Sequence, residues 1–105
     1  MQEIAVRKSF PVINPATGAQ LRVYEGMTWE EVTQAIEQAH EAFLAWRRVP
    51  FAERAARMRR AAELLRERAD RYARLMAEEM GKPIRDGRAE AQKCAWVCEY
   101  YAEHA

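Results

Sequence analysis

The residue types that most often carry out chemistry are sparse in this sequence. Its 105 residues include two cysteines, Cys94 and Cys98, and two histidines, His40 and His104. The cysteines are four residues apart and would share one face of a helix, but a closed metal site needs further ligands, and neither histidine stands at a recognised spacing. No base lies near either cysteine in the sequence to activate a nucleophilic thiol. We therefore expect two buried thiols, without a disulfide, that pack as small apolar side chains.

Arginines cluster in the middle of the chain, and a basic surface of that kind would indicate phosphate or RNA contacts. Acidic residues alternate with them, and the formal net charge is only +1. Because the carboxylates would repel a phosphate backbone, a solvated, salt-bridged helix face is the better interpretation, and we expect no nucleic-acid partner. The only glycines are Gly18, Gly26, Gly81 and Gly87. Their spacing matches neither a dinucleotide-binding fingerprint nor a phosphate-binding loop.

Composition and hydropathy indicate one small cytoplasmic domain or fragment spanning residues 1–105. Half of the residues are apolar, which suffices for a modest core. Residues 1–7 show no apolar segment typical of a signal peptide, and no later run approaches the about 18 apolar residues that cross a bilayer. We therefore expect no membrane partner. Reducing conditions would also keep the cysteines as thiols.

The elements that would position these residues begin with a β-hairpin over residues 9–24. Leu21 and Val23 alternate with polar neighbours, as in a half-buried strand. The segment from Asn14 to Gly18 combines Asn, Pro and Gly, which favour a turn. Pro11 cannot donate a ladder hydrogen bond, so the first strand is predicted to be an edge strand.

The first helix is predicted over residues 28–47. Thr28 and Glu31 have the spacing of a capping box, in which each side chain accepts a hydrogen bond from the other residue's backbone. Pro50 ends this helix region and suits the first turn of the next one. The predicted inward face is spaced at helical intervals and consists of Val32, Ala35, Ile36, Ala39, Phe43 and Trp46.

Two further helices complete a mainly α fold, which is an N-terminal β-hairpin followed by three helices. Apolar residues recur every three or four positions over 50–80, which predicts one long helix with room for a kink near Arg68 to Asp70. Small residues at Ala55, Ala62 and Ala69 would let a partner helix approach closely. Gly81 and Pro83 end the long helix, and a last helix is predicted over 84–103.

Three blocks, in order, resemble the aldehyde dehydrogenase superfamily. They are Ile13-Asn14-Pro15-Ala16-Thr17-Gly18, then Ala42-Phe43-Leu44-Ala45-Trp46-Arg47 with Pro50-Phe51-Ala52-Glu53-Arg54, then Glu79-Met80-Gly81-Lys82-Pro83. The third block is the most specific. Lys93-Cys94-Ala95-Trp96 and Tyr100-Tyr101-Ala102-Glu103-His104 extend the match, which is most like the succinate-semialdehyde dehydrogenase branch. The resemblance covers nearly the whole chain but only the N-terminal segment of such an enzyme.

The resemblance implies a scaffold role for these elements. In that family the hairpin and helices belong to an α/β coenzyme-binding domain, around its Rossmann-type sheet, and the NAD or NADP contacts and catalytic residues lie in other segments. No catalytic or cofactor-binding residue is therefore carried over, no cofactor is expected for this chain, and neither cysteine matches the family's nucleophile motif. Some relatives hold a monovalent cation through a carboxylate that matches Glu79 and main-chain carbonyls that match Val12 and Ile13, and oxygen ligands suit such a cation.

Three hypotheses follow. In the first, the chain is an N-terminal scaffold segment of an NAD(P)-dependent aldehyde dehydrogenase, which oxidises an aldehyde to a carboxylate, and is inactive as the isolated chain. In the second, it is a free-standing helical module for self-association or protein interaction. A third, nucleic-acid binding, would require an affinity that falls steeply with salt. The first two are compatible, because helix faces left exposed favour a homo-oligomer.

Overall fold

The computed structural model describes residues 7–105, and its described part is mainly helical. The prediction of a mainly α fold that begins with a β-hairpin is confirmed. The long predicted helix over 50–80 is interrupted, so that four helices follow the hairpin. The elements in chain order are β1 (Ser9–Ile13), β2 (Gln20–Glu25), α1 (Trp29–Trp46), α2 (Phe51–Glu67), α3 (Ala69–Met80) and α4 (Ile84–His104).

The described residues form two compact units, where the sequence predicted one small domain or fragment. Unit 1 comprises residues 7–12 and Gln20–Val49, and unit 2 comprises Ile13–Ala19 and Pro50–Ala105. Unit 1 thus contains most of the hairpin strands and α1. Unit 2 contains the hairpin turn and the three remaining helices.

Unit 1 is organised around the beginning of α1. The Thr28 hydroxyl accepts a hydrogen bond from the Glu31 backbone N–H at 3.2 Å, and the Glu31 carboxylate accepts one from the Thr28 N–H at 3.2 Å. The predicted capping box is therefore confirmed. Arg7 donates to the same carboxylate from its Nη1 at 2.9 Å and to the Gly26 carbonyl at 3.2 Å. The Glu31 carboxylate thus accepts hydrogen bonds from the Arg7 side chain and from the Thr28 backbone, and these bonds lower the pKa of Glu31.

The hairpin turn, which belongs to unit 2, forms as its residue types predict. The Asn14 side chain accepts a hydrogen bond from the Ala16 N–H at 2.9 Å, and the Asn14 N–H donates to the Ala19 carbonyl at 2.9 Å. Gly18 has a φ of 74°, in the left-handed region that glycine adopts without strain. The turn also lies against the end of α3, because a Cβ added at Gly81 would lie 2.9 Å from the Pro15 side chain.

Arg68 separates α2 from α3 at the place where the sequence left room for a kink. Its φ of −103° and ψ of 13° depart from helical values, so α2 ends before this residue and α3 begins after it. The backbone N–H of Arg68 still donates to the Leu64 carbonyl at 3.0 Å, and the Tyr72 N–H donates to the Arg68 carbonyl at 3.0 Å. Helices α2 and α3 therefore follow one another directly, and only the backbone of Arg68 between them departs from the helical conformation. Helix α3 begins without a side-chain cap.

The core of unit 2 consists of very small side chains, because α4 packs against both α2 and α3 at close range. A Cβ added at Gly87 of α4 would lie 2.9 Å from the Cα of Ala73 on α3, so the two backbones nearly touch at this point. We call this contact region the alanine seam. Its buried members are Ala62, Ala69, Ala73, Gly87, Ala91, Ala95 and Ala102.

Ion pairs flank the alanine seam. Arg66 of α2 donates from Nε and Nη2 to the two carboxylate oxygens of Glu99 on α4, at 3.1 and 3.0 Å. This planar two-point geometry raises the pKa of Arg66 and lowers that of Glu99. Arg88 of α4 forms a second ion pair, with Asp70 of α3, across the other helix contact. Each pair joins α4 to a different neighbouring helix.

Candidate functional site

The largest departure from the sequence prediction is the apolar face of α1. The predicted inward face exists as a helical stripe, but no residue of α1 is buried. Ile36 is 65% exposed and Phe43 is 52% exposed. Helical periodicity identifies which residues share a face, but not whether another element covers it. Part of this face forms an open apolar groove, which is lined by Ala39, Ala42, Phe43, Ala45, Trp46 and Val49.

Helix α4 carries a second exposed apolar surface, although its residue types are typical of a core. Trp96 is 57% exposed, Tyr100 45% and Tyr101 54%, whereas Val97 is half-buried. Trp96 and Tyr100 are neighbours, with ring centroids 6.1 Å apart, and Tyr100 stacks on His104 at 4.3 Å. The prediction that these aromatic residues are buried is wrong for the described chain, because α2 and α3 cover only the alanine face of this helix.

The prediction that both cysteine thiols are buried is also wrong. Cys94 is exposed and Cys98 is half-buried, and both are free thiols. Cys94 precedes the fully buried Ala95 and therefore points roughly 100° away from it around the helix. The burial of Ala95 against α2 and α3 thus leaves Cys94 outside the seam. No group of three His, Cys, Asp or Glu side chains among residues 7–105 is arranged to hold a metal ion.

The small residues that were predicted to receive a partner helix already have one within the chain. Ala62 of α2 is 1% exposed and Ala69 of α3 is 8% exposed, and both lie in the alanine seam against α4. Ala55, the third residue of that set, is half-buried. The close approach was therefore correctly predicted from residue size. Its occupant is α4 rather than a second protein.

The monovalent-cation site that the sequence resemblance suggested stays a prediction. Val12 and Ile13 are the last two residues of β1, and Glu79 lies in the last turn of α3, one residue before its end. Glu79 is half-buried.

No helix in the described part of the chain is long and apolar enough to cross a membrane. Two exposed apolar surfaces of the described residues are candidates for function. One is on α1 in unit 1, and the other is on α4 in unit 2. Sequence patterns identified the residues of both but indicated a core. Surfaces of this kind mark places where protein covers protein.

The chain belongs to the aldehyde dehydrogenase family, because the model described as "Aldehyde dehydrogenase family" matches residues 2–105. The resemblance to the N-terminal segment of these enzymes, and to the succinate-semialdehyde dehydrogenases among them, is confirmed.

Curated relatives have this name at substantial identity. A probable NADP-dependent succinate-semialdehyde dehydrogenase of Synechocystis sp. is 43% identical over 93 residues, which are 89% of this chain and 20% of that protein. An NADP-dependent succinate-semialdehyde dehydrogenase of Mycobacterium tuberculosis is 44% identical over 93 residues, with the same shares. The chain therefore spans about a fifth of the length of the curated relatives it matches.

Solved structures contain the same arrangement of elements. The succinic semialdehyde dehydrogenase of Streptococcus pyogenes, in complex with NADP+, matches with a TM-score of 0.84 and 32% identity, over 90% of this chain and 21% of that one. An NADP-dependent glyceraldehyde-3-phosphate dehydrogenase of Bacillus halodurans, complexed with NADP, matches with a TM-score of 0.86 and 28% identity, over 91% and 20%. Two enzymes named for different aldehydes thus share this fold segment.

Proposed function

We propose that this chain is a scaffold segment in the coenzyme-binding domain of an NADP-dependent aldehyde dehydrogenase that oxidises succinate semialdehyde to its carboxylate. Relatives of 40–44% identity with this name support the substrate. The similar structure of the Streptococcus pyogenes enzyme is a complex with NADP+, which supports NADP as the cofactor. In this role the helices support the dinucleotide-binding sheet and contribute no reacting group.

The exposed face of α1 is the observation that carries this proposal. A helix with a sustained apolar stripe and no buried residue gains stability from packing only when another element covers the stripe. In a scaffold role, further protein of the coenzyme-binding domain would cover Ile36, Phe43 and Trp46. The exposed aromatic face of α4 would be covered in the same way.

A chimeric enzyme tests the scaffold role. The matched 93 residues of the Synechocystis relative are replaced by the corresponding residues of this chain. We expect a soluble protein that reduces NADP with succinate semialdehyde, because the fold of the segment is shared. The control is the relative with its own segment restored through the same junctions. A chimera that is insoluble or inactive beside an active control would contradict the proposal.

We also propose that the 105-residue chain is catalytically silent alone. The purified protein is incubated with succinate semialdehyde and NADP, and the formation of NADPH is followed by absorbance. No formation above the protein-free rate is expected, because neither cysteine stands in a sequence that matches the family's nucleophile motif. Aldehyde-dependent NADPH formation that increases with protein concentration would show that the isolated chain is active. The chimera experiment would still test the scaffold role separately.

Self-association is a second candidate function, which the same exposed surfaces favour. We propose that copies of the chain form a homo-oligomer through exposed apolar helix faces, since such faces associate in water. Trp96, Tyr100 and Phe43 are all around half exposed. Sedimentation velocity over a range of protein concentrations tests this proposal. A single monomeric species at the highest concentration would rule it out.

We propose that the chain is located in the cytoplasm, where reducing conditions keep free thiols such as Cys94 and Cys98 reduced. Cell fractionation with an antibody to the chain tests this. Recovery in the membrane or in a secreted fraction would contradict it.

A further inference from the structure

Three residues, Gly26, Met27 and Thr28, join strand β2 to helix α1. Gly26 is hydrogen-bonded through both of its backbone polar groups. Its N–H donates to the Lys8 carbonyl at 2.7 Å, and its carbonyl accepts from Nη1 of Arg7 at 3.2 Å. A Cβ added at Gly26 would lie 3.0 Å from the Lys8 carbonyl oxygen, so the two backbones approach closely here. The residues directly before β1 are thus held against the connection between the hairpin and the helix.

The guanidinium group of Arg7 continues from this connection to the beginning of α1. Its Nη1 also donates to Oε2 of Glu31 at 2.9 Å, and its Nη2 donates to Oε1 of the same carboxylate. A lysine could not supply this two-point geometry, which fixes the orientation of the carboxylate as well as its position. Glu31 is the N3 residue of the capping box, and its Oε2 accepts from the Thr28 N–H at 3.2 Å. One carboxylate therefore binds both Arg7 and the cap of α1.

The charges around Arg7 favour this arrangement. The hydrogen bond with Glu31 raises the pKa of Arg7, and the negative charge of Glu25 at the end of β2 adds to the effect. The Glu25 carboxylate also accepts from the Ser9 hydroxyl of β1 at 3.2 Å. Both strands of the hairpin and the first turn of α1 thus place their polar groups around one guanidinium group, although Arg7 and Glu31 are 24 residues apart in the chain.

A shared carboxylate couples the two elements that it joins. A capping box needs only its own Ser or Thr and Glu or Gln, so the cap of α1 could form without Arg7. When Arg7 already holds the Glu31 carboxylate in place, the cap forms at a lower cost in side-chain entropy. Coupling of this kind is reciprocal, because each interaction must favour the other by the same free energy. A formed cap therefore also holds Arg7, and with it the hairpin, in place.

We propose that Arg7 and Glu31 form a clamp that makes the order of the β-hairpin and of the first turn of α1 interdependent, so that the two open together. The clamp lies within unit 1 and does not rest on the scaffold role. The side chains of Arg7 and Glu31 are 44% and 37% exposed. Because water and salt screen a pair of this exposure, the effect of the clamp is modest and decreases with ionic strength.

Amide hydrogen exchange of the 105-residue chain, followed residue by residue by NMR, tests the clamp. The Gly26 N–H reports on the hairpin and the Glu31 N–H, which donates to the Thr28 hydroxyl, reports on the cap. Glu31→Gln removes the charge but keeps a residue that suits the capping box. At low salt we expect it to speed the exchange of the Gly26 N–H about two- to fivefold, although this N–H does not bond to position 31.

The reciprocal variant probes the clamp from its other end. Arg7→Gln is expected to speed the exchange of the Glu31 N–H by a similar factor, although the Thr28 hydroxyl that accepts from it is unchanged. The double variant R7Q/E31Q should exchange no faster than the faster single variant, because both substitutions remove the same interaction. The matched control is Arg60→Gln, which breaks an exposed ion pair with Glu63 in unit 2 and should leave both amides unchanged.

Three outcomes would overturn the inference. If Glu31→Gln speeds exchange only in the first turn of α1, the carboxylate is a local cap and not a clamp. If the effects of the two single variants multiply in the double variant, Arg7 and Glu31 act independently. If the Gly26 and Glu31 amides of the parent exchange as fast as those of an unfolded peptide, the clamp does not hold unit 1 together. None of these results bears on the chimera experiment, so the scaffold role is tested separately.

Discussion

Unit 1 and unit 2 contain helices of similar apolar content, but only the helices of unit 2 have buried residues. In unit 2, helix α4 meets α2 and α3 along small residues, and Ala73 and Ala95 are 0% exposed. In unit 1, helix α1 has larger apolar side chains and buries none of them. The small residues on the facing sides of α2, α3 and α4 are thus covered within the described chain, whereas neither the small nor the large apolar residues of α1 are buried. The difference indicates that burial here is limited by how many elements are present and not by how apolar a helix is.

The contrast also separates two sources of helix stability. The helices of unit 2 are held by tertiary packing, since every buried residue of the described chain lies there. Helix α1 depends far more on its own local signals, the capping box of Thr28 and Glu31 above all. Local signals alone give marginal helices in water. Unit 1 is therefore the part expected to gain most when protein covers it, and substitutions in the two units should differ accordingly.

The largest effect is expected in the alanine seam. Ala73→Leu adds a branched side chain where a Cβ on Gly87 would already lie 2.9 Å from the Ala73 Cα, so α3 and α4 must separate. We expect a loss of about 3 kcal/mol in the free energy of unfolding, measured with chemical denaturant. Ala89→Leu makes the same change at an exposed position of α4, and its expected effect is within about 0.5 kcal/mol of zero. Equal losses of unfolding free energy in the two variants would show that the alanine seam is not the core of unit 2.

In unit 1, the largest loss of stability is expected when the capping box of Thr28 and Glu31 is broken. Thr28→Ala removes the hydroxyl that accepts from the Glu31 N–H at 3.2 Å, and the cost is expected to be about 1 kcal/mol. Faster amide exchange in the first turn of α1 is the readout. Thr33→Ala is the matched control, because its hydroxyl only donates back to the Trp29 carbonyl at 3.0 Å. Protection that is unchanged in Thr28→Ala would show that packing, rather than the cap, holds this helix.

A truncation on the exposed face of α1 should have almost no effect. Ile36 is 65% exposed, so Ile36→Ala is expected to change the free energy of unfolding by less than about 0.5 kcal/mol. A buried isoleucine would lose about 2–5 kcal/mol in the same substitution. In the chimeric enzyme, where the scaffold role requires this face to be covered, the substitution should lower the thermal midpoint clearly. The same small effect in both proteins would count against that covering.

The smallest expected effect is electrostatic and belongs to unit 2. The hydrogen bond from Arg66 lowers the pKa of Glu99 in the folded chain. A lowered pKa stabilises the fold above the unfolded value, about 4.3 for a glutamate, and this contribution is lost as the pH falls through the folded value. Glu99→Gln should therefore be less stable than the parent at neutral pH and converge with it in acid. Both side chains are about half exposed, so salt reduces the difference. Denaturant unfolding as a function of pH measures it, and a gap that widened in acid would reverse the assigned sign.

Sequence reasoning succeeded where the information was local. The capping box at Thr28, the turn at Asn14 and the end of α3 before Gly81 all follow from residues adjacent in the chain, and all three form as expected. The room for a kink near Arg68 was also visible, although the continuous apolar spacing did not indicate that two helices would result. The family resemblance likewise rested on contiguous blocks of sequence.

Sequence reasoning failed where the answer depended on what lies across from a residue. Cys94 and Trp96 have residue types typical of a core and are exposed. Their spacing placed them on α4 correctly, but periodicity cannot tell a covered face from an uncovered one. For the same reason, the small size of Ala62 predicted an external partner helix when α4 is its neighbour.

The alanine seam limits the amino-acid substitutions that single base changes can introduce without disturbing the core. A single base change in an alanine codon yields glycine, serine, threonine, valine, proline or an acidic residue, and of these only glycine adds no atom. At Ala73 or Ala95, which are 0% exposed, nearly every accessible change therefore adds volume, a proline ring or a charge. Glycine itself loosens a helix by about 1 kcal/mol relative to alanine. A core made from the smallest side chains is thus already at one end of the size range, and random mutation can move it only toward larger residues or less helical ones.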